Sequence, residues 1–188
     1  MLETILLAFL VAKINGYEIS QLFKSWTIYP LLIFQIIYLI EQVIIFSGNY
    51  EFVGFIRNLE PIYLCLHLLL VFKYEIYTSS IIGAGFVLLG GFLNEITMKA
   101  NGGFMPAYPT LSYLTGYVKP ETFSLVNDIH ILGDSQAKLK ILTDYIDLGY
   151  SILSIGDVFI RMFVFIIIYF SIKKINNLTS KGEMQCYN

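Results

Sequence analysis

Five apolar stretches, at about residues 1–14, 30–47, 61–73, 79–98 and 155–172, limit what this chain can fold into more than any other feature. Charge is nearly absent inside them, and a helix that crosses a bilayer core needs about 20 such residues. With 56% hydrophobic and only 14% charged residues, the chain is too apolar for an ordinary soluble domain. The expected fold is all-α and integral to the membrane: about five transmembrane helices in a single polytopic domain over residues 1–188. The first and third stretches are short for a span, and the first is expected to thin the bilayer locally. The first opens with Glu3 and runs on to Lys13, without the basic start or small-residue cleavage site of a secretory signal. It reads as a retained helix.

Between the first two stretches Ile19, Leu22, Phe23 and Trp26 recur at helical spacing, the pattern of a helix lying in the interface with Trp26 in the aromatic belt. Lys13, Lys24, Lys73, Lys173, Lys174 and Lys181 fall on one side of this topology, while the other side's short segments hold mainly Arg57 and Lys99. The basic side faces the cytoplasm, so the C-terminus is expected there and the N-terminus outside. The Asn177-Leu178-Thr179 sequon would then lie in the cytoplasmic tail, where it has no acceptor role. A net charge of −2 with scattered bases argues against a nucleic-acid partner. Cys65 and Cys186 have the spacing of neither a disulfide framework nor a zinc cluster, and no cofactor fingerprint occurs.

Residues 95–154 are more polar and carry Pro106, Pro109, Pro120, Gly116 and Gly133 at turn-like positions. They are expected to form an extracytoplasmic cap between the last two spans. The chain enters it through Asn101-Gly102-Gly103-Phe104-Met105-Pro106. Gly102 and Gly103 can take positive φ as the backbone leaves the membrane helix, and Pro106 biases Met105 toward an extended shape.

Ionisable side chains inside spans are costly and usually face the bundle interior. Gln35, Tyr38, Glu41 and Gln42 form one stripe on the second helix, and His67 sits in the third. Asn94 and Glu95 close the outer end of the fourth. Glu95 shares a face with Ala84 and Gly91, so it is expected to point inward. The last helix opens with Ser154-Ile155-Gly156-Asp157, the spacing of a capping box, and Arg161 follows Asp157 at i, i+4, where the two can pair. The candidate binding set is therefore Glu41, His67, Asn94, Glu95, Asn101, Gly102, Gly103, Met105, Pro106, Asp157 and Arg161. Three carboxylates against one arginine leave surplus negative charge, to be met by a proton, a cation or a donor-rich ligand. His130 and Asp134 would face one ion if helical, but two ligands are too few for zinc.

The Asn101-Gly102-Gly103-x-Met105-Pro106 turn, His130, and Ser154-Ile155-Gly156-Asp157-Val158 together resemble the small bacterial membrane proteins of domain of unknown function 5317. The resemblance implies a bacterial plasma-membrane protein with no established activity. Family members often carry a basic residue where this chain has Phe104. Three functions compete: an outward polar pocket for a small polar solute or cation, with a homo-oligomer supplying for transport what one chain lacks; a membrane enzyme on a lipid-linked or envelope substrate, with Glu41 or Glu95 as base and Arg161 holding an anion; and a subunit whose Gly83, Ala84, Gly90 and Gly91 face packs against another membrane protein.

Overall fold

The computed structural model describes residues 1–50, 59–119, 122–125 and 129–180, and these are predominantly helical. Arg57, Pro120, Lys181 and Cys186 of the sequence reading lie outside the described residues. Among those described, three helices are long and apolar enough to cross a membrane: Trp26–Phe46, Tyr77–Ala100 and Ile155–Ser180. They comprise α3 (Tyr29–Phe46, entered through a 3-10 turn at Trp26–Ile28), α6 (Tyr77–Ala100) and α9 (Ile155–Ser180).

The other expected spans are shorter. Helix α1 (Leu2–Ile14) has 13 residues. The 61–73 stretch is broken at His67 into α4 (Glu60–Leu66) and α5 (Leu68–Tyr74), of seven residues each. Here the His67 amide bonds to Leu64 O three residues back, while its ring Nδ1 donates to Tyr63 O at 3.0 Å. The side chain thus takes up a carbonyl at the break. The expected interfacial helix is likewise divided, into α2 (Ser20–Phe23) and the Trp26–Ile28 turn. Ser25 is extended between them, and its Oγ meets Thr27 Oγ1 at 2.7 Å, the local side-chain bonding that competes with helix.

The long helices are patterned the reverse of a water-soluble protein. On α3, Gln35 is buried while Ile33, Ile36, Ile40 and Val43 are exposed. On α6, Thr97 is buried while Ile81, Ile82, Leu88 and Phe92 are exposed, Leu88 by 75%. Polar groups turned inward beneath an apolar exterior suit lipid as the surrounding solvent.

Two compact units divide the chain, and each long helix contributes residues to both. The first takes the described residues of Met1–Ile37, Leu59–Val87 and Arg161–Asn188. Its core is the fully buried stripe Val164, Ile167, Ile168, Ile172 and Ile175 of α9, with Ala8, Leu22, Leu31 and Leu70 also buried. Gly83 sits over Phe163, where a Cβ would come within 2.8 Å of the ring.

The second takes Tyr38–Asn58 and Leu88–Ile160. In it α6 ends as expected: Gly102 and Gly103 have φ of 71° and 95°, and the Gly103 amide returns to Met98 O at 2.8 Å, a Schellman closure. The chain then enters β1 (Met105–Ala107), wholly buried and parallel to β2 (His130–Leu132). On the other edge of β1, the Asp144 amide donates to Pro106 O (3.0 Å) and Tyr108 N donates to Asp144 O (2.8 Å). β3 (Ile146–Asp147) and β4 (Ile152–Leu153) form a short antiparallel hairpin leading into α9. Also in this unit are α7 (Leu111–Thr115) and α8 (Thr122–Leu125).

Helices α6 and α9 meet in this second unit at Gly90 and Gly156. A Cβ on Gly90 would lie 2.3 Å from Gly156 O, and one on Gly156 would lie 2.7 Å from Gly90 O. Gly91 has open space around it. Gly90→Ala is expected to cost about 1–3 kcal/mol through overpacking against backbone, whereas Gly91→Ala should be neutral or gain up to about 1 kcal/mol from helix propensity. Thermal unfolding of both variants in mild detergent checks the contrast.

Candidate functional site

The polar groups of the second unit gather where α6 ends and α9 begins. Ser154 and Asp157 form the expected capping box: Asp157 N donates to Ser154 Oγ (2.9 Å) and Ser154 N donates to Asp157 Oδ2 (3.0 Å). Asn94 of α6 closes the ring, donating to Asp157 Oδ1 (2.9 Å) and accepting from Ser154 Oγ (2.8 Å). This three-residue network ties the two helices directly above the Gly90–Gly156 contact. Asp157 thus accepts from a side-chain amide of α6 and from the backbone amide at the start of its own helix.

Two other side chains position the segment between α6 and α9. The Asn101 side-chain amide bonds Lys138 in both directions, accepting from its amide at 2.8 Å and donating to its carbonyl at 3.0 Å, and also donates to Thr97 O. Asp147 accepts from the amides of Thr110, Ser112 and Gly149 and from Ser112 Oγ, so one carboxylate fixes the start of α7 and the β3–β4 turn. Burial would raise its pKa, but these donors outweigh it and hold it below the ordinary aspartate value.

Beside β1 lies Asp144, which the sequence reading missed. Its side chain is only 3% exposed and its Oδ2 is 3.2 Å from His130 Nε2. Its Oδ1 is buried, and no donor among the described residues reaches it. Burial pushes the carboxyl above its ordinary value; His130 opposes the rise and the negative Asp157 adds to it. Nothing in the spacing of Asp144 marks it out in sequence, because its place depends on parallel pairing with a strand 37 residues earlier at Ala107.

The other candidates fare differently. His130 lies in β2 and faces Asp144, and Asp134 accepts from the Gln136 amide in a tight turn, so the helical His130–Asp134 pairing does not form. Met105 and Pro106 are buried in β1, and Gly102 and Gly103 serve the helix end. Glu41 is half-buried near Tyr117, whose phenol burial pushes up to about 12, with Glu41 and Tyr50 adding to the rise. Glu95 does not point inward: its side chain is 58% exposed and pairs with Lys99. The small residues that meet a neighbour are Gly83 and Gly90, one position away from the Ala84–Gly91 face that Glu95 shares.

In the first unit, Arg161 is paired with Glu3 rather than with Asp157, and Glu3 also binds the Met1 ammonium at 3.1 Å. Holding an anion would require Arg161 to release Glu3. His67 is fully buried edge-on to Tyr63 and Phe163, and its Nε2 has no partner among the described residues.

The model of a family of unknown function, DUF5317, matches residues 19–169. Neither a curated protein nor a solved structure matches the chain.

Asp144 and Asp147 titrate to opposite effect. Asp144, with its folded pKa raised, contributes stability that is complete below the ordinary value of 3.8 and is lost as pH rises through the folded pKa. Asp147, with its folded pKa depressed, contributes stability present above 3.8 and lost as pH falls. Melting curves against pH should therefore show Asp144→Asn above wild type at pH ~7 and Asp147→Asn below it, both differences shrinking in acid.

Proposed function

We propose, from the premise that this chain belongs to the DUF5317 family of unknown function, that it is a multi-pass protein of the bacterial plasma membrane whose outward cap binds a small polar solute or cation. In this reading α1 and the α4–α5 pair are short spans beside the three long ones, giving five. The α2–Trp26 segment rests in the interface, residues 95–154 face outward, and the C-terminus is cytoplasmic. The lysines that flank the helix ends at 13, 24, 73, 173 and 174 support this orientation.

The observation that carries the binding proposal is the Asp144 carboxylate. A buried acceptor left without a donor costs about 1–3 kcal/mol, and here Asp157 adds a second negative charge to the same neighbourhood. A solute bearing an N–H or O–H donor, or a positive charge, recovers that cost on binding. Asn94, Asp157 and Asn101 hold the surrounding frame, so the acceptor is fixed before the ligand arrives. One unsatisfied oxygen suits a directional donor better than a hard divalent ion, which takes six or more oxygens in the case of calcium.

Thermal unfolding of the full chain in mild detergent, with ethanolamine, glycerol and sodium chloride as separate probes, tests the proposal. Saturation at about 100 times Kd is expected to raise the melting temperature by about 5–10 °C. Asp144→Asn should abolish that rise while leaving the unliganded protein folded. No rise with any probe, or a rise that Asp144→Asn leaves intact, removes the reading.

A further inference from the structure

Helix α7 is inside out. Its polar Ser112 is fully buried, held by the Asp147 carboxylate through both amide and hydroxyl, while Leu111, Tyr113 and Leu114 are exposed, Leu114 by 84%. From Tyr108 to Val118 the chain has no charge and three tyrosines. In water this arrangement discards apolar burial and spends a carboxylate on hiding a serine. At a membrane interface each choice is favourable, because aliphatic side chains enter the acyl boundary and tyrosines sit at headgroup level.

The position of α7 relative to a spanning helix is fixed by contacts within the second unit. Phe46, the last residue of α3, packs against Tyr117, two residues beyond α7, with ring centroids 5.3 Å apart. Lys119 Nζ lies 3.2 Å from where a Cβ on Gly48 would stand, and Thr122 Oγ1 donates to Tyr50 OH at 3.0 Å. The segment after α7 is thus fastened to the residues where the α3 span ends, the level at which hydrocarbon gives way to headgroups. Lys119 is exposed beside it, as an interfacial cation should be. The exposed Leu111 and Leu114 lie six and three residues before Tyr117 in the chain.

We infer that α7 is a membrane-seated element of the cap, with Leu111 and Leu114 inserted in the lipid interface next to the end of α3. The cap is then held to the bilayer surface by its own side chains as well as by the helices that enter and leave it.

Tryptophan placement tests this in the full chain reconstituted into phosphatidylcholine vesicles. The single native tryptophan is removed by Trp26→Phe, and Leu114→Trp, Leu111→Trp, Val43→Trp and Ser135→Trp are made singly in that background. Val43 is 69% exposed within the α3 span, and Ser135 is exposed in a polar turn of the cap. Expected are blue-shifted emission and loss of intensity with acyl-brominated lipid for Leu114→Trp and Leu111→Trp, as for Val43→Trp, with neither for Ser135→Trp. Red-shifted, unquenched emission at 111 and 114 would mean that water covers α7, and blue-shifted, unquenched emission that protein does. Either overturns the inference. Quenching at 43 alone would leave the chain in the bilayer and α7 out of it.

Discussion

The second unit depends on one close approach, that of Gly90 and Gly156. With no side chain on either residue, α6 and α9 come near enough for Asn94 to reach across to both Ser154 and Asp157. Hydrophobic burial does not draw helices together in lipid, because acyl chains are as apolar as leucine; packing and interhelical hydrogen bonds must do so. The glycines supply the packing and Asn94 supplies the bonds. The segment between the two helices is attached at both ends to this crossing, through Asn101 after α6 and through the β3–β4 hairpin before α9.

Much of this was legible in the sequence where the cause is local. The Ser154–Asp157 box, the positive φ of Gly102 and Gly103, the extended Met105 and the inward stripe at Gln35 all follow from residue type and near-neighbour spacing. Three helices long and apolar enough to cross a membrane were legible for the same reason, since the length and hydropathy of a helix are local properties. The count of full-length helices was less so. The break at His67 turns on one side chain bonding a carbonyl four residues back, which a hydropathy profile passes over.

What the sequence hid is what depends on pairing between distant segments. Arg161 and Asp157 have ideal helical spacing, yet Arg161 goes to Glu3 of α1, 158 residues earlier. Glu95 was expected to share the small-residue face, but with a neighbour seated on Gly83 and Gly90 the adjacent register is the outward one. Asp144 gave no signal at all, because the parallel bridge that buries it joins strands separated by the whole of α7 and α8.

The way Asn101 holds Lys138 bears on what natural variation the segment after α6 can absorb. Its carboxamide presents to Lys138 a donor and an acceptor at the separation found in a peptide unit, so it stands in for a missing segment of main chain. A contact of that kind is blind to the side chain it grips. Position 138 is free to drift among residue types, while position 101 is not: an acid lacks the donor, a hydrophobe lacks both groups, and glutamine carries the same amide one methylene too far.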